Sequence, residues 1–81
     1  MMLPTIHMNG TSKTDLLEGY CDAISAVLLA LEALARTTPN GRDYYPQGDG
    51  ACAIASREHD ARKRALMKVM DELQTLAEHV A

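Results

Sequence analysis

Residues 13–36 carry apolar side chains at alternating spacings of four and three, which is typical of an α-helix with one covered side. Two such series run next to each other. Together they make an apolar stripe wider than a single partner helix covers. The first series is Leu17, Cys21, Ile24, Leu28, Leu31 and Ala35, and the second is Leu16, Tyr20, Ala23, Val27, Ala30 and Leu34.

The residues at the ends of this stretch support a helix of these bounds. Ser12 can accept hydrogen bonds from the free N–H groups of the first turn, and Asp15 suits the positive end of the helix dipole. Pro39 ends the helix because its ring clashes with a continuing helix and restricts Thr38. Gly19 lowers helix stability by about 1 kcal/mol relative to Ala. It is either an incidental weakness or a point where another backbone comes close.

A second helical pattern covers residues 51–80, with Asp49 as the predicted cap. Its seam also alternates spacings of three and four, and it places His59 and Arg62 among apolar positions. The seam reads Cys52, Ala55, His59, Arg62, Leu66, Val69, Leu73, Leu76 and Val80.

Two helices of about 36 and 45 Å fit a small domain only side by side. The pattern therefore predicts an all-α fold, an antiparallel αα-hairpin spanning residues 13–81. Its helices are 13–36 and 51–80, its loop is 37–50, and residues 1–12 form an N-terminal arm.

Size and charge favour self-assembly. The core of a chain of 81 residues rarely supplies more than about 3–5 kcal/mol of stability without a disulfide or a bound metal. Seven of the eight Lys and Arg lie between residues 36 and 68 with four acids, a balance of +3, whereas the remainder carries −6. Two hairpins packed head to tail would set the acidic end of one against the basic end of the other. We expect a four-helix dimer or a higher homo-oligomer, and a parallel pairing stays open.

Several classes of function are disfavoured. No stretch is long enough for a membrane span, and the start of the chain lacks the pattern of a secretory signal, so a cytoplasmic protein with no membrane partner is expected. The net charge of −3 argues against binding to duplex nucleic acid. Cysteine and histidine spacing predicts no metal, and no cofactor or catalytic motif is recognised, so we expect a protein that is not an enzyme.

The connection between the helices is longer than a bundle needs, since such loops usually take about 2–8 residues. It holds two of the three aromatic residues of the chain. Arg42 can bind phosphate with a planar fork of donors, and Tyr44 and Tyr45 can stack on a base. Asn40 and Gln47 can form hydrogen bonds with the polar edges of such a ligand. In the alternative interpretation the tyrosines only plug the end of the bundle and Arg42 pairs with a helix end.

Further candidate ligand contacts lie outside the loop. Arg57, His59 and Arg62 would add to the positive field or touch the ligand, although His59 also suits a hydrogen-bonded interior position and Arg62 a surface ion pair. In the arm, three polar residues could complete the site from a neighbouring copy or could simply order the start of the helix. They are Asn9, Thr11 and Ser12.

Two segments, "IHMNGTS" (6–12) and "NGRDYYPQG" (40–48), resemble those of a group of small two-helix bacteriophage and prophage proteins. The resemblance implies a phage origin and a place in the host cytoplasm. It is also consistent with a counter-defence role, either sequestering a nucleotide signal or blocking a host protein.

The leading hypothesis is therefore a non-enzymatic oligomer that binds a small phosphorylated ligand, a nucleotide first of all, at the loop end. The alternatives are a protein-interaction module that inhibits a host protein and a structural phage component.

Overall fold

The computed structural model describes residues 1–81 and contains helices and turns without strands, which confirms the all-α prediction. Helix α1 spans Lys13–Ala35, α2 spans Gly41–Tyr44 and α3 spans Ala51–Val80, with a 3-10 turn at Tyr45–Gln47. The short α2 and the 3-10 turn lie in the segment that the sequence predicted as a loop. Neither α1 nor α3 has enough continuous apolar length to cross a membrane.

Side-chain hydrogen bonds fix both ends of α1. Ser12 Oγ accepts from the Asp15 N–H at 3.1 Å, so the predicted cap is present. At the other end, the hydroxyls of Thr37 and Thr38 each donate to a carbonyl of the last turn at 2.7 Å. The same two carbonyls also accept the backbone N–H groups of Thr37 and Thr38, at 2.9 and 3.3 Å, so each threonine closes the end of α1 with two hydrogen bonds. Arg36 is the capping residue, so α1 ends one residue earlier than its pattern indicates.

The start of α3 differs from the prediction. The capping residue is Gly50, in the left-handed conformation at φ 86°, and no side chain caps the first turn. The prediction of Asp49 as the cap is therefore wrong. A backbone turn closes this end of the connection. Gly48 and Gly50 both adopt positive φ there, a backbone conformation that residues with a Cβ rarely adopt.

The long helices α1 and α3 pack against each other, and one contact near each end of the pair shows which residues meet. Thr38, just after α1, lies 3.4 Å from the His59 ring near the start of α3. Pro4, before α1, accepts a hydrogen bond from His79 at the end of α3 at 2.9 Å. The connection and the chain termini therefore lie at opposite ends of the molecule.

The molecule is a rod with very little interior. Its extents are 61 × 21 × 16 Å and its radius of gyration is 18.2 Å, whereas a compact domain of this length would have about 12 Å. Only four of 81 residues are buried, and all four belong to α3. They are Ala55, His59, Ala77 and Val80. Each long helix thus has one covered side and leaves the rest of its apolar stripe open.

The seam of α3 departs from the predicted one after His59 at two positions, Arg62 and Val69, which are exposed. The other predicted positions are covered, since Leu66, Leu73 and Leu76 are half-buried and Val80 is buried. Lys63 is exposed overall but lines the groove beside α1, and Met70 is half-buried. A step of four residues turns a helix by about 40° from its starting face, and a step of three turns it by about 60° the other way. Position 63 therefore lies nearer than position 62 to the face of His59, and the placement of Arg62 on the seam is wrong.

Candidate functional site

The connection between the long helices is an ordered pair of turns. The Asn40 side-chain amide donates to Asp43 Oδ2 at 3.0 Å, and the Asp43 N–H donates to the Asn40 carbonyl at 3.2 Å. The Gly48 N–H then closes the 3-10 turn on the Tyr45 carbonyl at 3.2 Å. Asn40, a predicted ligand contact, is thus already committed in part to bracing the segment.

The two adjacent tyrosines have different environments. Tyr44 is half-buried and is the only side chain of α2 that is not exposed, and α2 contacts α3. This agrees with the packing role that the sequence left open for it. Tyr45, by contrast, is 78% exposed. Its ring is therefore free for contact with a ligand.

The predicted cations at this end all point into solvent or lie on open surface. Arg42, Arg57 and Arg62 are exposed, as is Gln47. None of them lines the cavity described below. The loop end therefore offers an open, positively charged surface in a single chain rather than an enclosed pocket.

The arm candidates lie at the far end of the rod. Asn9, Thr11 and Ser12 are exposed and immediately precede α1, close to the end where Pro4 meets His79. Ser12 Oγ is already the acceptor for the Asp15 N–H. Within one chain these residues do not meet the loop, so a site shared by arm and loop would need two copies.

A groove of about 280 Å³ lies between α1 and α3, near the loop end. Five of its eight lining residues are hydrophobic, and the polar contribution comes from Thr38, His59 and Lys63. The apolar lining consists of Leu31, Leu34, Ala35, Met67 and Met70. This arrangement can hold an apolar side chain or segment, with one ammonium group at its edge.

His59 is the predicted site residue that borders this groove, and it lies against the end of α1. The residue is 7% exposed, and its Nε2 lies 3.4 Å from Thr38 Oγ1. The single hydrogen of the Thr38 hydroxyl is donated to the Ala35 carbonyl at 2.7 Å. The Thr38 oxygen is then an acceptor, which assigns the donating hydrogen to His59 Nε2. This is the hydrogen-bonded interior position that the sequence also allowed.

Sequence reasoning missed Thr38 and Lys63 as groove residues. The signal for Lys63 was present, since it stands four residues after His59 and four before Met67. Thr38 gave no signal, because it lies past the end of the helical pattern. No group of three or more His, Cys, Asp or Glu side chains is placed to hold a metal ion.

Comparison of the chain with protein-family models, with curated proteins and with solved structures gave no match.

Proposed function

We propose that the protein is a non-enzymatic binding protein that works as an assembly of copies and binds a small anionic ligand, a nucleotide first of all, at its loop end. The observation that carries this proposal is Tyr45, whose ring is 78% exposed on an ordered turn three residues after the exposed Arg42. A flat ring and a guanidinium in one short segment suit a base joined to a phosphate.

The charge distribution supports an anionic ligand. Residues 36–68 carry seven Lys and Arg against four acids, and they include the connection and the first half of α3. The acids of the remaining segments lie mostly toward the opposite end of the rod. A negatively charged molecule is therefore attracted to the loop end and repelled from the other.

The shape supports an assembly built from antiparallel hairpins. The reversed order of contacts between α1 and α3 supports the hairpin, and the scarcity of buried residues supports a partner. The accessible surface is 6068 Å², whereas a compact protein of this mass exposes about 4,800 Å². A second copy could cover the excess and complete an open loop-end surface into a pocket.

Titration calorimetry with linear and cyclic nucleotides tests the ligand. We expect binding by the wild type and a loss of about 5- to 150-fold in affinity for Tyr45→Ala, because base stacking contributes about 1–3 kcal/mol. Tyr45→Phe keeps the ring and should keep most of the affinity. Arg42→Ala should also weaken binding, whereas Arg64→Ala, an exposed arginine on α3 away from the loop, should not.

A folded wild-type protein that releases no heat with any nucleotide at millimolar concentration would rule out this ligand class. Equal losses for Arg42→Ala and Arg64→Ala would show that binding reflects net charge and not the proposed surface.

The second candidate is a protein-interaction module, favoured by the open apolar faces of a rod with four buried residues. Helices with one open apolar stripe commonly dock in the groove of another protein. Recovery of a stoichiometric partner from host lysate, unchanged by Arg42→Ala and Tyr45→Ala, would support this candidate and place the contact on the helices.

A further inference from the structure

The N-terminal arm, residues 1–12, exposes an unusual amount of apolar surface. A soluble chain gains nothing from large apolar side chains held in water, and exposed apolar clusters commonly mark contact sites. The five large apolar residues of the arm and their exposed fractions are Met1 66%, Met2 91%, Leu3 43%, Ile6 43% and Met8 97%.

The arm is nevertheless fixed in position. The Gly10 N–H donates to the His7 carbonyl at 3.1 Å, which forms a turn around Met8. A Cβ built at Gly10 would lie 2.8 Å from His7 Nε2, so the imidazole packs against the backbone at Gly10. Three residues before His7, Pro4 accepts the hydrogen bond from His79. Ile6 and Met8 thus lie between the contact at Pro4 and the start of α1.

The arm of a chain lies outside the groove of that same chain, since none of residues 1–12 lines it. Both attachment points, at Pro4 and at the start of α1, lie beside the end of α3. The groove begins at Met70 and continues to His59. Along α3, His79 is about 13 to 14 Å from Met70 and about 18 Å from Met67 at the helical rise per residue.

We infer that Ile6 and Met8 of a second copy occupy the groove between α1 and α3. The inference rests on the proposed assembly and assigns its contact. Head-to-tail packing brings the arm of one copy beside the loop end of the other, which is the arrangement that the opposite charges of the two ends favour. This packing covers an apolar arm and an apolar groove at the same time, and in a two-fold dimer the contact occurs twice.

The excess surface area that the rod exposes is large enough for this contact. The rod exposes roughly 1,300 Å² more than a compact protein of its mass, and a stable interface buries about 800 Å² on each partner. Thioether side chains also suit the purpose, because Met8 would meet Met67 and Met70, whose flexible chains adapt to irregular gaps. The arrangement also brings Asn9 and Thr11 of one copy toward the connection of the other.

Cross-linking between two differently tagged proteins tests the contact. Both carry Cys21→Ser and Cys52→Ser, which remove the free thiols. One then carries Met8→Cys and the other Met67→Cys, and the mixture is treated with a short bismaleimide. Because each protein has one thiol, a product of mixed mass joins two copies. The control replaces Met67→Cys with Leu29→Cys, a side chain that is 65% exposed and does not line the groove.

We expect the Met8–Met67 product to exceed the Met8–Leu29 product at least fivefold. We also expect Met8→Glu in the otherwise unchanged protein to raise the dissociation constant of the assembly about tenfold or more, because a carboxylate would enter an apolar groove. Thr5→Glu adds the same charge to the arm outside the proposed contact and should have little effect.

Equal cross-linking yields in a sample whose sedimentation mass shows several copies would overturn this inference and leave the proposed assembly standing. A single-chain mass at the highest concentration tested would overturn both. Circular dichroism of each variant, compared with the wild type, separates lost contact from lost helix.

Discussion

At the scale of single residues, the pairing of Thr38 with His59 is the contact that joins the end of α1 to α3 at the loop end. The Thr38 hydroxyl does two things there. It donates to the Ala35 carbonyl at 2.7 Å and lies 3.4 Å from His59 Nε2. Because His59 is 7% exposed, water can replace a lost partner only poorly, and burial of an unsatisfied donor is unfavourable.

We therefore expect Thr38→Val to lower the free energy of unfolding by about 1–3 kcal/mol, the penalty for leaving a buried donor without its acceptor. Thr37→Val is the matched control, since Thr37 donates to the Leu34 carbonyl at 2.7 Å and is exposed. Urea unfolding at one fixed protein concentration measures both. Similar small losses for the two variants would mean that the contact with His59 contributes nothing to stability.

At the scale of elements, the helix bounds could be read from the sequence because local chemistry sets them. Ser12 caps α1 as predicted, and the threonines and Pro39 end it within one residue of the expected position. The covered face of α3 just after His59 could not be read as well. The choice between Arg62 and Lys63 depends on a small difference in helical angle, and only the position of α1 decides it.

The sequence predicted a ligand-binding site in the connection, but it gave less information about the conformation of the connection. A bond between Asn40 and Asp43 and a 3-10 turn around Pro46 organise it, and neither follows from helical periodicity. The exposed ring of Tyr45 and the half-buried ring of Tyr44 were equivalent in the sequence. Only the packing of α2 on α3 distinguishes them.

Gly50 at φ 86° predicts a specific effect at the start of α3. Gly50→Ala should lower the free energy of unfolding by about 1–2 kcal/mol, because a Cβ disfavours left-handed backbone. Gly41→Ala is the control, since Gly41 has no positive φ and a Cβ there meets nothing within 4 Å. Thermal unfolding followed by circular dichroism compares them, and equal midpoints would contradict the role given to Gly50.

Gly19 lies within α1 with open space around the position of a Cβ. Gly19→Ala should therefore stabilise the protein by up to about 1 kcal/mol through helix propensity. It should leave the mass of the assembly unchanged, because the proposed arm contact lies elsewhere. Chemical unfolding and sedimentation check the two parts. A smaller assembly would instead show that another backbone approaches α1 at this glycine.

At the scale of the whole molecule, a rod of 61 × 21 × 16 Å with four buried residues has too small a core to account for its own stability. In the proposed assembly, folding and association are linked, and the native state gains stability from every copy that binds. A partner stays a prediction, made from length and from the double apolar stripe of α1. The groove and the exposed arm could not be predicted, because both depend on how α1, α3 and the arm are placed in three dimensions.

We expect the midpoint of thermal unfolding to rise by several degrees over a hundredfold increase in protein concentration, since dilution favours separated and less stable chains. Calorimetry or circular dichroism at three or more concentrations measures the shift. A constant midpoint together with a single-chain mass would show that the isolated rod is stable without a partner.

The chain contains three tyrosines and neither tryptophan nor phenylalanine. All its intrinsic ultraviolet emission therefore comes from phenol rings, one of which, Tyr45, projects into water while the other two are half-buried. A purine that stacked on that ring, or a neighbouring copy that covered it, would change the emission without any attached dye. Fluorescence quenching of the unlabelled protein, compared with Tyr45→Leu, would then report directly on what happens at the tip of the rod.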